Sequence, residues 1–506
     1  MPFTICPDPR QQTIALLYQA MPPPVIDGLR KDAKPGGYSD SGADIAFALR
    51  QAGLRVATPV PDPAPGNAMD WVFPDTPDGI DAALRAGATL LWANTVLFAG
   101  HPLDRVMANC WIVGQLPAAM QQVDHKFATN AMLRAAGLPV AASILAAPVA
   151  RDGVHALADL TEEKLKALGL PFPLIVKPVR GRGSQGVTLV EDHAAFVRAA
   201  DELVASGRFG LDVIVEQFLE GTEMTVTIMA GSTPWTLPPV ARFNHDRGVA
   251  PYNGTVAVTH NSRALTEQEQ AAPEVVAMLD ACVAAAGLVA ARAPIRIDCR
   301  GDHEGVLRLF DLNMKPNMTG AGRPGRDDQD SLSAIAARAI GWRFEDLLLR
   351  MLDDAWRADA TERRKRLTFW GADENDDSLV RAVIAGRKTV TADTVEDYYK
   401  PYGEYGDGSY AAGDLIEVYD LKQRLRCLIR ATKTQTIRFG AIPEEVWRGE
   451  TFASAQEFRD VHIRCLPQYE LHDDFEFVTL HFELVEVIDQ EDDHGVSRSC
   501  PAPSPM

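Results

Sequence analysis

Short apolar runs alternate with helical patterns from the start of the chain, and this limits its folds more than any other feature. TIALLY at 13–18 has the character of a strand, and ADIAFALRQAGL has apolar residues at helical spacing, closed by Gly53. TLLWANTVLF continues the alternation. Such an order is typical of a parallel sheet with helices outside it, so we predict a parallel α/β domain at 1–120.

The pattern continues beyond this domain until a highly charged segment, DAWRADATERRKR, interrupts it. A separate β-rich region follows the charged segment, and the chain ends in a polar, proline-rich tail. The predicted fold class is therefore multidomain, α/β followed by α+β. We divide the chain into the α/β domain at 1–120, lobes at 121–235 and 236–353, a linker at 354–366, a small β-rich domain at 367–488 and a disordered tail at 489–506.

Composition excludes several classes of protein. Of 506 residues, 46% are hydrophobic and 24% are charged, which excludes fibrous and wholly disordered chains. The 50 basic against 69 acidic residues give a net charge of −19, which argues against an extensive nucleic-acid surface. A local basic site remains compatible with this balance.

The cysteines and apolar stretches indicate a cytoplasmic protein. The seven cysteines contain no C-x-x-C pair, so neither a disulfide framework nor a zinc site is expected. The first residues lack a basic segment followed by an apolar run. The most apolar stretch, at 275–291, is interrupted by Asp280 and predicts a buried helix, not a membrane span.

The segment PLIVKPVRGRGSQGV carries the first nucleotide-binding signal. An apolar strand leads to Lys177, and a loop with Gly181, Gly183, Ser184 and Gly186 follows. A lysine supplies a point charge for phosphate, and glycines let backbone N–H groups approach phosphate oxygens. Taken alone, an ordinary hairpin explains this segment equally well.

Two later segments strengthen that signal. In IVEQFLEGTEMTV a strand leads into a turn that could bond adenine, with Glu223 placed to accept ribose hydroxyls. RIDCR and LRLFDLN place Asp298, Asp311 and Asn313 on two neighbouring strands. Asp is depleted from strands, and these oxygen ligands suit Mg²⁺, so we predict a magnesium site over ordinary strand-end caps.

Together these motifs resemble the ATP-grasp superfamily, and within it the D-alanine–D-alanine-ligase-like branch. The resemblance covers about 40–325 and includes SGADIAFALRQAGL, HKFATNAMLRAAGLPV, the Lys177 loop, EQFLEGTEMTV and RIDCR with DLNMKPNMTG, in the family's order. It implies an ATP-grasp fold at 121–353. For ATP, the resemblance implies that the phosphates contact Lys126 and Lys177 under a loop with Gly183, Ser184 and Gly186, that adenine contacts Glu216, Gln217, Phe218 and Leu219, and that ribose contacts Glu223. For the metal, it implies that two Mg²⁺ ions, or Mn²⁺ as a substitute, bind Asp298, Asp311 and Asn313. It also implies that Arg296 lies beside the developing oxyanion.

The implied activity is that of an ADP-forming carboxylate–amine ligase. A small-molecule carboxylate would take the γ-phosphoryl group of ATP, and an amine would displace phosphate from the acyl phosphate. Many relatives dimerise, so a homodimer is one expectation. The segment at 242–254 is interpreted as a lid over the acyl phosphate, with a plain surface loop as the alternative.

The substrate half departs from the branch. KPGGYSD lacks the glutamate that holds the first substrate's amino group in the D-alanine enzymes, and Asp311 stands where glutamate is more common. We therefore expect a substrate other than D-alanine. We predict that Lys315, Arg323 and Arg326 recognise an acidic group, because cationic side chains suit carboxylate or phosphate; the alternative is a solvated basic loop.

The C-terminal region resembles an ASCH domain, a small β-barrel module related to PUA-type RNA-binding domains. The resemblance covers about 367–487 and rests chiefly on the helix followed by GRKTVTA and on AAGDLIEVYD. Some small ASCH proteins are amidohydrolases that use a lysine, a threonine and a glutamate, which match Lys388, Thr391 and Glu450. Others are thought to bind RNA or nucleotides.

A local basic stripe in this domain, at Arg424, Arg426, Arg430, Lys433 and Arg438, suggests a nucleotide or RNA partner. Strand alternation predicts the first three on one face, with a solvated strand face as the alternative. Three hypotheses follow: a ligase with an accessory ASCH domain, an RNA- or nucleotide-binding protein with a non-ligating ATP-grasp scaffold, or an ASCH amidohydrolase.

Overall fold

The computed structural model describes most of the chain, namely residues 3–26, 29–32, 34–151, 153–181, 183–231, 233–243, 260–326, 328–358, 364–373, 375–398, 410–422 and 424–488. These residues form two compact units. The larger unit contains the described residues of 4–98 and 110–357, and the smaller contains Phe3, 99–109 and the described residues from 358 to 488.

The larger unit begins with a parallel α/β layer. The elements along this part of the chain are β1 (Phe3–Ile5), β2 (Thr13–Tyr18), β3 (Val25–Ile26), β4 (Leu29–Arg30), α1 (Ser39–Gln51), β5 (Arg55–Val56), β6 (Val72–Pro74), α2 (Pro77–Arg85), β7 (Leu90–Asn94), β8 (Trp111–Val113) and α3 (Pro117–Val123). Strands β3 and β4 form a separate two-stranded antiparallel sheet. Strand β2 pairs in parallel with β5, β6 and β7, and β7 pairs in parallel with β8. The predicted parallel sheet is confirmed.

The register of this sheet determines which side chains meet at its edge. Residues 14–17 of β2 are fully buried, as expected for a strand covered on both faces. Tyr18 lies opposite Asn94, so the carboxyl ends of β2 and β7 meet at one edge. Helix α1 packs on this sheet and ends before Gly53, which adopts the left-handed φ of 84° that favours glycine.

A second sheet carries the glycine-rich loop. The elements of this part are α4 (Lys126–Ala135), β9 (Ser143–Ala147), β10 (His155–Ala156), α5 (Glu162–Ala167), β11 (Leu174–Pro178), β12 (Thr188–Val190), α6 (His193–Ala205) and β13 (Val213–Gln217). The strand order is β10-β9-β13-β11-β12. Because β11 and β13 are antiparallel neighbours, Lys177 and Glu216 are brought to adjacent strands.

A third sheet carries the predicted metal ligands. The elements are β14 (Glu223–Met229), β15 (Trp235–Thr236), β16 (Val240–Arg242), β17 (Ser262–Ala264), α7 (Glu267–Gln270), α8 (Pro273–Leu288), β18 (Ile295–Gly301), β19 (Leu307–Asn313), α9 (Leu332–Ala339), α10 (Phe344–Asp353) and β20 (Trp356–Ala358). The order is β17-β16-β14-β18-β19, with β15 on β14, and β20 joins the first sheet beside β8. The two strands predicted to carry the acidic residues are confirmed. The helix predicted near 275–291 is present as α8, but only one of its faces is buried, and Val276 and Leu288 are 45% and 46% exposed.

The smaller unit contains the predicted β-rich domain. Its elements are β21 (Arg364–Thr368), α11 (Ser378–Ile384), β22 (Val390–Thr394), α12 (Val395–Tyr398), β23 (Leu415–Tyr419), β24 (Leu425–Arg438), α13 (Glu444–Gly449), α14 (Ala455–Cys465) and β25 (Glu476–Val487). The strands form one sheet in the order β21-β23-β24-β25-β22. A core that includes Phe369, Ile416, Ile429 and Phe482 lies against it.

Some predicted segments differ from the structure or lie outside its described part. Within the predicted linker at 354–366, Trp356 is buried and pairs with Ile112, and β21 has already begun at Arg364. Most of the predicted lid at 242–254 and all of the predicted tail at 489–506 lie outside the described residues. None of the described helices is both long and apolar enough to cross a membrane.

Candidate active site

A cavity opens between residues of the second and third sheets. Its wall contains many of the residues that the sequence singles out for nucleotide: Lys126, Lys177, Gly183, Ser184, Glu216, Gln217, Phe218, Leu219, Glu223, Asp298 and Asp311. Gly186 lies in the same loop, outside the wall. Because these residues come from separate strands and one loop, the fold brings together what the sequence distributes over almost 200 positions.

A buried ion pair forms one side of the cavity. Lys177 Nζ lies 2.6 Å from Glu216 Oε1, and the two side chains are only 7% and 4% exposed. Burial raises the pKa of Glu216, and the ammonium group of Lys177 opposes that rise. The second carboxylate oxygen, Glu216 Oε2, is buried without a hydrogen-bond partner among the described residues. Such an oxygen is suited to accept from a ligand N–H, as an adenine amino group would provide.

The glycine-rich loop requires its glycines. Gly183 and Gly186 have φ values of 61° and 73°, and Ser184 between them has 58°. A Cβ on Gly186 would also lie 3.0 Å from the side chain of Leu203. This left-handed stretch turns the loop back along the cavity, where backbone groups can approach phosphate.

Glu223 stands at the opposite wall beside an arginine that sequence reasoning did not find. Arg242 Nη1 lies 3.1 Å from Glu223 Oε1, and the two residues are direct partners across β14 and β16. Arg300, the partner of Glu223 on the other neighbouring strand, also lines the cavity. Knowledge of strand register would have been needed to find either arginine.

The predicted metal ligands share one sheet face. Asp298 lies directly opposite Asp311, and Arg296 lies opposite Asn313, so all four point to the same side. A bulge after Asp298 leaves Phe310 unpaired on β19, and both Phe310 and Asp311 reach the cavity wall. Arg296 and Asn313 are farther along the ladder, outside that wall.

The two carboxyl groups differ in charge environment. Burial raises the pKa of Asp298, with Arg296 opposing. Burial acts likewise on Asp311, but Lys126 and Lys177 outweigh it and lower the pKa of Asp311. Burial would lower the pKa of Lys126, but its ion pair with Asp311 has the larger effect and raises that pKa. The cavity therefore brings Lys126 and Lys177 together with Asp298 and Asp311, in addition to the carboxyl groups of Glu216 and Glu223.

The donor set fits a hard cation shared with phosphate. Two facing carboxylates and one amide supply oxygen ligands and leave positions for other oxygens. The described residues include no cluster of three or more His, Cys, Asp and Glu side chains, so the protein alone would not enclose a metal. Asn313 Oδ1 already accepts the backbone N–H of Lys315, at 2.9 Å, and retains one lone pair.

Arg323 and Arg326, which the sequence suggested for substrate, are engaged inside the fold. Arg323 is 5% exposed, and its Nε donates to Asp44 Oδ1 at 2.8 Å and its Nη2 to Asp40 at 3.1 Å. Arg326 Nε donates to the other oxygen of Asp44 at 2.9 Å. The two arginines thus anchor the loop after β19 to helix α1. This geometry favours a structural role, at least for Arg323.

We expect Arg323→Met to lower the free energy of unfolding by about 2 kcal/mol, because the fully buried Asp44 would keep only Arg326 as its charged partner. Arg326→Met, which removes a more exposed side chain, should cost less. Urea unfolding of both variants checks this. Unchanged stability of Arg323→Met, together with a raised KM for the acid, would return Arg323 to substrate recognition.

Lys315 is placed differently from the two arginines. Its Nζ donates to Asn94 Oδ1 at 2.9 Å and lies 4.2 Å from the ring centre of Tyr38. Burial, together with the nearby charge of Lys34, lowers the pKa of Lys315 to about 7. Lys34 lies over the same tyrosine ring at 3.8 Å. Sequence reasoning found Lys315 and missed Lys34, although KPGGYSD had drawn attention for its lack of glutamate.

In the smaller unit, the structure brings together two of the three predicted ASCH residues. Lys388 is ion-paired with Glu450, and Glu450 also accepts the backbone N–H of Ala392. Lys388 and Glu450 are 2% and 8% exposed. Thr391 lies on β22 near this pair, but in the described part of the chain it is hydrogen-bonded to neither member.

The predicted basic face of β24 is wrong. Arg426 is 1% exposed and ion-paired with Asp377 and Asp420, whereas Arg430 is exposed and lies near Glu483. A register shift between Leu428 and Ile429 breaks the alternation that would have placed the arginines on one face. Most of the stripe's charge is matched by carboxylates: Arg424 by Asp420, Lys433 by Glu445 and Arg438 by Asp474.

Comparisons with known proteins agree with this geometry. The family model for the D-ala D-ala ligase C-terminus matches residues 132–353, and the model for the ASCH domain matches 365–486. A D-alanine–D-alanine ligase of Stutzerimonas stutzeri is 30% identical over 255 residues, 45% of this chain and 72% of the relative. One from Pseudomonas putida is 26% identical over 318 residues, 54% of this chain and 89% of the relative.

A solved D-alanine–D-alanine ligase from Bacillus anthracis, complexed with ATP, superposes with a TM-score of 0.46 at 16% identity. The alignment covers 67% of this chain and 95% of that structure. The sequence relatives, and not this superposition, therefore indicate the family of the chain.

Proposed function

The chain belongs to the D-alanine–D-alanine ligase family, and on that premise we propose that it joins a carboxylic acid to an amine, using ATP and releasing ADP. The acid becomes an acyl phosphate, and attack by the amine forms the amide and releases phosphate. The ASCH domain accompanies this ligase unit in the same chain.

One observation carries the proposal: Lys126, Lys177, Asp298 and Asp311 line a single cavity together with the glycine-rich loop. Phosphoryl transfer needs positive charge at the transferring group and a cation bridging phosphate oxygens. A scaffold that did not act on ATP would have little use for a buried and a half-buried lysine held beside two strand-borne aspartates.

The side chains then have distinct tasks. Lys177 is held by Glu216 at the inner end of the cavity, where its charge can meet phosphate, and the buried Glu216 Oε2 can accept from adenine. Glu223, which accepts from Arg242, would also accept from the ribose hydroxyls. Arg296, 3.9 Å from Asp298, is near enough to stabilise negative charge that develops on the carbonyl oxygen during amine attack.

Asp298, Asp311 and Asn313 would hold Mg²⁺, which supplies charge neutralisation at the phosphate oxygens when bound. Binding Mg²⁺ at Asp311 requires Lys126 to share or release that carboxylate and turn toward phosphate. We propose two ions at this site, with Mn²⁺ as a substitute. A homodimer, a cytoplasmic location and RNA or nucleotide binding by the ASCH domain also remain part of the proposal.

Trapping the acyl phosphate with hydroxylamine tests the function without knowledge of the amine. We expect the protein, incubated with MgATP, hydroxylamine and a panel of carboxylic acids, to form a hydroxamate and an equal amount of ADP for at least one acid. Asp311→Ala is the negative control, and Asp201→Ala, on the exposed side of α6, is the matched control that should retain activity.

The panel also separates the alternatives. If no acid yields hydroxamate or ADP while the chain binds RNA tightly, a non-ligating scaffold replaces the ligase. Equal hydroxamate formation by Asp311→Ala would remove the metal-site argument.

A further inference from the structure

Two lysines converge on one tyrosine at the edge of the first sheet. The Nζ of Lys34 lies 3.8 Å and that of Lys315 lies 4.2 Å from the ring centre of Tyr38. An aromatic ring attracts one cation favourably, but two cations on one ring repel each other. Such an arrangement is stabilised when a negative group joins it.

The contacts of Lys315 leave that negative group to a ligand. Its Nζ donates to Asn94 Oδ1 and, at 3.3 Å, to the carbonyl of Pro316, both of them neutral acceptors. In the described part of the larger unit, no carboxylate lies within ion-pair distance of Lys315. Two carboxylates of α1, those of Asp40 and Asp44, bind Arg323 and Arg326.

Lys34, Lys315 and Tyr38 lie near the carboxyl edge of the parallel sheet, the edge at which open α/β proteins commonly bind ligands. Asn94 ends β7 at the carboxyl edge of the parallel sheet, where open α/β sheets place their ligands. Asn94 Nδ2 donates to the carbonyl of Tyr38, and helix α1 begins at the next residue, Ser39. The positive end of that 13-residue helix therefore faces the same region.

Gln19 gives an independent sign of a missing partner. It follows Tyr18 at the end of β2, beside Asn94, and its backbone N–H donates to Gly37 in the loop that carries Lys34. Gln19 is 7% exposed, yet neither polar atom of its amide has a hydrogen-bond partner among the described residues. A buried amide in this state costs free energy that a bound polar group would recover.

We infer that Lys34, Lys315, Tyr38 and Gln19 form a site for a second anionic group on the carboxylic-acid substrate. This inference rests on the proposed ligase function and names its substrate class: an acid with a further carboxylate or phosphate-like group at its non-reacting end. The site adjoins the reaction centre, because Lys315 is bonded through its backbone N–H to Asn313. An acid whose far end is an ammonium group, such as D-alanine, would be repelled by both lysines.

Calorimetric titration tests the site without need for turnover. The full-length protein, with Mg²⁺ and a non-hydrolysable ATP analogue, is titrated with succinate, 3-phosphonopropanoate, butanoate and D-alanine. We expect at least one of the two dianionic acids to bind about tenfold or more tightly than butanoate, and D-alanine to bind most weakly. The ratio between succinate and the phosphonate tells which anionic group fits.

Variants connect that preference to the lysines. Lys315→Met and Lys34→Met should each lower dianion affinity about tenfold while leaving affinity for the ATP analogue unchanged, which also reports that the fold is intact. Lys166→Met, on the exposed face of α5, is the matched control and should bind like the wild type. Lys315→Glu should reverse the preference toward D-alanine.

The results separate this inference from the proposed function. Equal affinity for butanoate and succinate, or an unchanged succinate affinity in Lys315→Met, overturns the anionic site even if monoacids form hydroxamates. Dianion binding that depends on Lys315, without hydroxamate from any acid, supports the site and contradicts the ligase.

Discussion

Replacing Lys177 with methionine is expected to lower the free energy of unfolding by about 3–5 kcal/mol and to reduce hydroxamate formation about 100-fold or more. The stability loss arises because Glu216, only 4% exposed, would remain as a buried carboxylate without its cation. The activity loss follows from the proposed role of Lys177, whose ammonium group lines the cavity and would contact phosphate there. Urea unfolding and the hydroxylamine assay measure the two effects separately.

The double variant Lys177→Met/Glu216→Gln separates structure from catalysis. Removing both charges should restore most of the stability, since no unpaired charge is left buried, but it should not restore hydroxamate formation. Lys166→Met, which removes an exposed lysine, serves as the control in both assays. If the double variant regains activity along with stability, Lys177 acts only by holding the fold together.

Features encoded locally in the sequence could be predicted well. The strand at Thr13–Tyr18, helix α1 with its closing glycine, and the two strands that carry Asp298 and Asp311 follow from apolar spacing over a few residues. The residues that line the cavity could also be predicted from the sequence, because a lysine after an apolar strand and an aspartate within a strand are unusual.

Features that depend on distant partners could not be predicted. Arg323 resembles a ligand-binding residue in a loop rich in glycine and arginine, but it bonds to Asp44, 279 positions earlier in the chain. The pairing of Glu223 with Arg242 depends on strand register, and the placement of Phe310 depends on a bulge. Period-two reasoning on β24 failed for the same reason, because one register shift reverses the face of every later residue.

Sequence motifs predict the nucleotide-binding residues of the larger unit better than its substrate-binding residues. Around ATP, each role requires a particular chemistry at a strand end or a glycine loop, so the residue types themselves are informative. Around the acid, what matters is the sum of charges that meet at one edge: Lys34 and Lys315 approach a single ring although 281 positions separate them. The missing glutamate in KPGGYSD indicated that this segment is unusual, but only the fold shows that Lys34 and Lys315 meet there.

Lys388→Met is expected to have a comparably large effect on the smaller unit, destabilising it by about 3–5 kcal/mol. Lys388 and Glu450 are both buried, and Glu450 also accepts the backbone N–H of Ala392 in the middle of β22, so loss of the lysine leaves a buried carboxylate against a strand. Calorimetric unfolding of the full chain would detect the loss, and Lys388→Met/Glu450→Gln should recover most of it.

Thr391→Val decides whether this pair is also catalytic. The described structure gives Thr391 no hydrogen bond to Lys388 or Glu450, so the substitution should change the free energy of unfolding by less than about 0.5 kcal/mol. A lysine that activates a threonine hydroxyl predicts that Thr391→Val abolishes hydrolysis of small amides while stability is retained. If the wild type hydrolyses none of a panel of acylated amines and nucleosides, the ion pair of Lys388 and Glu450 is structural.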